Sequence, residues 1–277
     1  MNSVWYGILV TRPHNVAIAA AAIVVGALTG PTAPADTARL LWAALAAALI
    51  TAGGNVLNDV IDIAVDAVNK PGRVLPSGRL GRTAALRLAV ILLVAGLALT
   101  LLLPLLCLLI AIASTALIVF YNLYASGRPV IGNLIVSLLT AVAFPFGSLA
   151  VGAGWWGLIP GAFALAFDMG REIIKDLEDC EADRCGGLNT LPIAAGERAA
   201  RWTAIGALLI LLILLPVPHL TGWLHSPYLL IVLPGVGVPV AIIIAGLRRP
   251  RASSVYRRFQ IVLKVDMIVG LAAVLAG

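Results

Sequence analysis

From Leu88 to Gly127 the chain runs for forty residues without a single Asp, Glu, Lys or Arg. A helix rises about 1.5 Å per residue and a bilayer core is about 30 Å thick, so some twenty apolar residues cross it once. Long charge-free runs recur at Pro129–Phe167 and Trp202–Leu247. Charged residues make up only 12% of the 277, against roughly 25% in a soluble domain. That is too few to cover a water-facing surface, and it excludes a soluble protein. With 61% hydrophobic residues and a mean hydropathy of +1.04, the sequence defines an all-α, polytopic membrane protein.

Dividing the charge-free intervals gives nine expected transmembrane helices. The first lies near 14–31 and the second near 40–58. Pro104 divides the forty-residue run, Gly152–Gly157 divides the next, and Pro216–Pro227 the one after; the last span is expected at 257–276. The sixth is expected to run on as a helix into an acidic stretch. The segment before residue 31 has little positive charge ahead of it and no clear cleavage site, so it reads as a true first helix and not a signal peptide. On this count seventeen of the nineteen Lys and Arg residues fall on one side. The positive-inside rule makes that side, and the N-terminus, cytoplasmic. The orientation signal and anionic lipid headgroups account for the net charge of +6, so membrane lipids and no nucleic acid are the expected surroundings. Cys107, Cys180 and Cys185 have no His or Cys cluster that suggests zinc.

The acids are concentrated. Ten of thirteen lie in two windows, Asp59–Asp66 and Asp168–Asp183. Each window contains D-x-x-D-x-x-x-D, as Asp59, Asp62, Asp66 and as Asp176, Asp179, Asp183, with starts 117 residues apart. On a helix, steps of three and seven return to nearly one face, so each window is expected to aim three carboxylates one way. Such a triad repels itself unless cations are near. Mg²⁺, which takes oxygen ligands and is commonly shared with substrate phosphates, supplies them. Lys70, Arg73, Arg171 and Lys175 suit a phosphate-bearing partner. Pro- and Gly-rich turns follow both windows, as Lys70-Pro71-Gly72-Arg73 through Ser77-Gly78 and as Gly186-Gly187.

At these residues the chain resembles the UbiA superfamily of intramembrane prenyltransferases. The first signature of that family, N-D-x-x-D-x-x-x-D, stands as Asn58, Asp59, Asp62 and Asp66, and its R-P-x-x-S-G element as Arg73 to Gly78, with Val74 in place of the usual Pro. The second is Asp176, Asp179 and Asp183, followed by Thr190-Leu191-Pro192. Arg12-Pro13-His14-Asn15 and Gly132-Asn133 also match, so the likeness runs from residue 12 to near the C-terminus. The family's Y-x-x-x-K element is represented by Tyr121 and, without its Lys, by Arg128.

The resemblance implies one transmembrane prenyltransferase domain over 1–277, a nine-helix bundle with two pseudo-repeated halves carrying motifs at 58–66 and 176–183. It implies Mg²⁺ held by the six aspartates, with Asn58 orienting a carboxylate or binding metal. A prenyl diphosphate donor and a lipid or phosphate-bearing acceptor are implied as partners, with Arg12, Asn15, Asn55, Lys70, Arg73, Ser77, Tyr121, Arg128, Arg171 and Lys175 binding substrate. The string from Gly170 to Asp179 looks most like the branch that transfers a geranylgeranyl group to geranylgeranylglyceryl phosphate in ether-lipid synthesis. Aromatic quinone-precursor and chlorophyll-type acceptors stay open, and intramembrane acids also mark ion-coupled transporters. CDP-alcohol phosphotransferases need D-G-x-x-A-R, which is absent.

Overall fold

In a computed structural model, residues 3–30 and 36–277 are described, and all the regular structure among them is helical. The chain is built from α1 (Ser3–Val10), α2 (Pro13–Leu28), α3 (Thr37–Ile61), α4 (Ile63–Asn69), α5 (Arg82–Thr100), α6 (Leu105–Phe120), α7 (Ile131–Ala150) and α8 (Leu158–Cys185). It continues with α9 (Leu191–Ala194), α10 (Gly196–Leu214), α11 (Val217–Leu220), α12 (Ser226–Val232), α13 (Val238–Leu247) and α14 (Ser253–Ala276). Single π-helical turns extend α6 at Tyr121–Ala125 and join α12 to α13 at Leu233–Gly237.

A helix occupies every interval in which a span is expected, and the breaks fall at 101–104, 151–157 and 221–225. Residue 31, the end of the first expected span, lies outside the described residues. Among the described residues, seven helical stretches are long and apolar enough to cross a membrane: α3, α5, α6 with its π-turn, α7, α10–α11, α12–α13 and α14. An eighth forms if α1 and α2, bent by 56°, are taken together. The 28-residue α8 carries too many charged residues to qualify by composition.

The first compact unit comprises residues 1–126 and 143–157. Small residues set its packing. On α3, Ala43, Ala46, Ala52, Gly53 and Gly54 are buried, and a methyl group added at Gly53 would stand 2.8 Å from Leu93 Cγ of α5. Where α2 crosses the end of α7 the approach is closer still: a methyl at Gly26 would meet the Phe144 carbonyl oxygen at 2.0 Å, and one at Gly147 the Ile23 oxygen at 2.1 Å. Lipid tails are as apolar as Leu, so close backbone packing is what holds helices together in a membrane. Pro145 lies within α7 beside that crossing and has no N–H to give the preceding turn.

The second unit comprises residues 127–142 and 158–277. Its core gathers Ile173 and Ile174 of α8, Leu208 of α10, Tyr228 of α12, Ile243 and Leu247 of α13, and Leu263 of α14. Gly170 lets α8 approach α10, since a methyl there would lie 2.8 Å from Leu208. Asp266, in the middle of α14, is 3% exposed and its Oδ2 has no hydrogen-bond partner. Outward faces are strongly apolar, as with Leu105, Ile213 and Leu230, which are more than two-thirds exposed and suit contact with lipid.

Candidate active site

The first acidic window sits where α3 stops. The helix ends at Ile61, Asp62 caps it, and α4 starts at Ile63. The expected single helical face for three carboxylates is therefore interrupted at its middle member. Beneath the window, Val56 and Val60 of α3 share an apolar cluster with Val10, Leu75, Ala85 and Ala89. That cluster fixes three separate segments: the end of α1 just before Arg12, the end of α3, and the loop that carries Arg73. The loop is shaped by backbone bonds from Arg73 to Lys70, from Ser77 to Arg73 and from Arg79 to Val74, with Leu75 as its buried anchor.

On this platform two arginines reach the acids. Arg12 stands in the left-handed region at φ 54°, in the break between α1 and α2, and Nη2 pairs with Asp59 Oδ1 while donating to Asn58 Oδ1 at 3.2 Å. Arg73 Nη1 lies 2.5 Å from Asp66 Oδ2 and 3.7 Å from Asp59 Oδ1. Asp59 and Asp66 are buried. Asn58 is the hub, since its amide nitrogen also donates to Asp62 Oδ2 at 3.0 Å and to Asn122 Oδ1 at 3.1 Å. Burial, then the neighbouring Asp66, raises the Asp62 carboxyl above the usual carboxylate range, against the lowering by Arg12.

Other predicted residues of this unit divide into those at the acids and those apart from them. Asn55 gives its side-chain amide to the Thr11 carbonyl at 2.8 Å, so it holds the Thr11–Arg12 turn to α3. Asn15 opens α2, its backbone N–H bonded to the Arg12 carbonyl at 2.9 Å. Ser77 bonds within its own turn, to Val74 O at 3.1 Å, and Lys70 is exposed at the end of α4. Tyr121 begins the π-turn whose next residue is Asn122.

The second window lies on unbroken helix. Asp176, Asp179 and Asp183 are half-buried along α8, and Asn133 of α7 donates to Asp176 Oδ2 at 2.8 Å. One turn earlier, Arg171 donates through Nε to Asp168 at 2.8 Å and through Nη2 to Glu172 at 2.5 Å. Lys175 reaches Glu172 at 3.2 Å. Two of the donors expected for substrate are thus engaged by buried acids of the same helix. Thr140 also donates to Asp168, at 3.1 Å. Glu178 pairs with Arg257 at 2.9 Å, off the triad's face. Arg128 is exposed, and Gly127 beside it bonds the loop after α8 through Asn189 N at 2.9 Å.

Asn133, Asn122, Asp168 and Glu172 are the residues of these sites not among the expected binding set. The i,i+3 spacing of Asp168 to Arg171 and of Glu172 to Lys175 was a readable signal. Asn122 carried none.

The donors fit Mg²⁺. They are carboxylate and amide oxygens, the set a hard divalent cation takes, and in the first window guanidinium cations already rest on two of the three carboxylates. Among the described residues no three His, Cys, Asp or Glu side chains converge closely enough to enclose an ion.

Acids set among guanidinium and amide groups at the ends of apolar helices are the side chains that a metal-bound polyanion would use. The chain belongs to the UbiA prenyltransferase family, whose model matches residues 19–267. It is 40% identical to a digeranylgeranylglyceryl phosphate synthase from Methanopyrus kandleri over 96% of both chains. A solved structure from work on digeranylgeranylglyceryl phosphate synthase in membranes covers 100% of this chain and 99% of its own, with a TM-score of 0.82 and 28% identity. A UbiA homologue from Archaeoglobus fulgidus, bound to GPP and Mg²⁺, shares the fold over 97% of this chain and 99% of its own, with a TM-score of 0.72 and 18% identity.

Proposed function

We propose that the protein transfers a geranylgeranyl group from geranylgeranyl diphosphate to the hydroxyl of geranylgeranylglyceryl phosphate, giving digeranylgeranylglyceryl phosphate for ether-lipid synthesis. The observation that carries this is the near full-length relatedness to the Methanopyrus synthase, together with two aspartate windows whose acids are set among Arg and Asn side chains. Asp59, Asp62 and Asp66, and likewise Asp176, Asp179 and Asp183, would hold Mg²⁺, which would supply positive charge to the diphosphate as the allylic C–O bond ionises. Asn58 and Asn133 orient carboxylates for that task. Arg12, Arg73 and Lys175 supply charge for phosphate oxygens, Arg by paired donors and Lys as a point charge. Leu-, Ile- and Val-rich helix walls keep water from the allylic cation until the acceptor hydroxyl oxygen forms the ether bond and gives its proton to the departing diphosphate.

The same reading takes residues 1–277 as one prenyltransferase domain of two pseudo-repeated halves, with nine helices crossing the membrane. In support, each compact unit carries one window, and α8 begins with an apolar stretch before its acids. The seventeen bases that share a side support a cytoplasmic N-terminus and a cytoplasmic site.

The test incubates purified protein with labelled geranylgeranyl diphosphate and a panel of acceptors, with and without Mg²⁺. Mg²⁺-dependent ether product from geranylgeranylglyceryl phosphate is expected. Preference for an aromatic acceptor would overturn the substrate, and full activity of Asp62→Ala or Asp179→Ala would overturn the site.

A further inference from the structure

In the first window the guanidinium groups and the proposed metal have the same ligands. Arg12 and Arg73 both address Asp59 Oδ1, and Arg73 also holds Asp66. A divalent ion sits about 2.1 Å from a ligand oxygen, so it and a guanidinium on that oxygen would be cations in near contact. Arginine cannot relieve this by losing its proton. An ion that takes Asp59 Oδ1 or Asp66 Oδ2 displaces the guanidinium held there.

The side chains of Asp59 and Asp66 are each 7% exposed, whereas those of Arg12 and Arg73 are 25% and 30% exposed. The arginines therefore cover the carboxylates from the open side, which an ion must use. Both reach the acids with long side chains from segments whose backbone the Val10–Leu75 cluster holds, so the guanidinium groups can leave without the backbone moving. Arg12 occupies a backbone region unfavourable for a non-glycine residue, in a turn tied to α3 by the Asn55–Thr11 bond. Arg73 extends from a turn-rich loop.

Resting on the reading of this window as a metal site, we propose that Arg12 and Arg73 are exchangeable counter-cations. Each guanidinium neutralises a buried carboxylate in the resting protein, yields it to the divalent cation, and is thereby freed for the incoming diphosphate. Charge on the acids is balanced before and after, and the site is not left as a bare cluster of carboxylates. Metal alone then binds against competition from the protein's own arginines.

The test titrates the full-length chain in detergent with Mn²⁺, free ion being counted by electron paramagnetic resonance, and follows thermal unfolding with and without Mg²⁺. Arg12→Gln and Arg73→Gln are compared with Arg82→Gln, which removes an exposed charge nearby. Mn²⁺ affinity is expected to rise at least about fivefold in the first two and to stay constant in the third. The first two should also melt lower than wild type without metal and gain more from Mg²⁺, since the ion replaces the lost counter-charge. Arg73→Gln carries the test alone if loss of Arg12 prevents folding. Unchanged or weaker binding in the arginine variants, or an equal rise in Arg82→Gln, would overturn the exchange while leaving the metal site standing. Absence of Mn²⁺ binding by wild type and by both arginine variants alike would overturn both.

Discussion

Asn133 donates its side-chain amide to Asp176 across 2.8 Å, from the second residue past Ile131 at the start of α7 to the middle of α8. The bond fixes one carboxylate of the second window in rotation. Losing a partner that orients a metal ligand typically costs 10- to 100-fold in affinity or activity. Asn133→Ala is expected to lower turnover by about tenfold and to raise the Mg²⁺ concentration for half-maximal rate. Initial rates across a Mg²⁺ series measure both, and an unaltered Mg²⁺ dependence would count against an orienting role.

Arg171 behaves as the counter-ion of Asp168 and Glu172, both nearly enclosed. Removing one member of such a network strands buried charge and costs about 3–5 kcal/mol. Arg171→Ala should therefore lose thermal stability in detergent, and Asp168→Asn with Glu172→Gln in the same chain should restore much of it. Lys175→Gln removes the more exposed of the two cations on Glu172, so it should lower the melting temperature less than Arg171→Ala and raise KM.

The raised carboxyl of Asp62 gives a pH signature. Metal binds the deprotonated group, so a proton must leave for the ion to enter. As pH falls through the raised pKa, Mn²⁺ affinity should decline, approaching about tenfold per pH unit for a single proton. Asp62→Asn should bind the ion more weakly at high pH and show a shallower slope in the range where Asp62 titrates. Parallel binding curves for the two proteins would refute the assignment.

At the crossing of α2 and α7 there is no space for a methyl group. Gly26→Ala or Gly147→Ala should cost about 1–3 kcal/mol or more, because backbone and not a flexible side chain must give way. Gly206→Ala, with nothing within 4 Å, should be neutral or mildly stabilising. Unfolding of the three variants side by side decides the matter.

The helices were legible in the sequence because a bilayer leaves a backbone few options: each span must satisfy its own hydrogen bonds, so length and apolarity suffice. The spacing of Asp59, Asp62 and Asp66 likewise marked out a candidate site. It could not announce the break at Asp62, because the step between helical turns is the same on either side of a kink. Nor could it find the partners of the acids. Arg12 lies 47 residues from Asp59, and their meeting depends on a turn whose conformation is set by Asn55 and by packing around Val10 and Leu75. Asn55 shows the same limit from the other direction: the family resemblance implied a substrate role, while its side-chain bond goes to the chain's own backbone. In the second window the pairs within α8 were readable from helical periodicity, but the contact between Asn133 and Asp176 was not, since it joins elements 43 residues apart.

Lys264 and Asp266 stand mid-way along the 24 residues of α14. During biosynthesis a charged residue at a helix centre opposes entry into the bilayer by about 2.5–3.5 kcal/mol, against a gain of about 0.3–0.6 for each Leu, Ile, Phe or Val. This helix is therefore penalised more than its length suggests. The helices it packs against, α8, α12 and α13, all precede it in the chain. Chain order thus presents a reluctant helix with partners made before it.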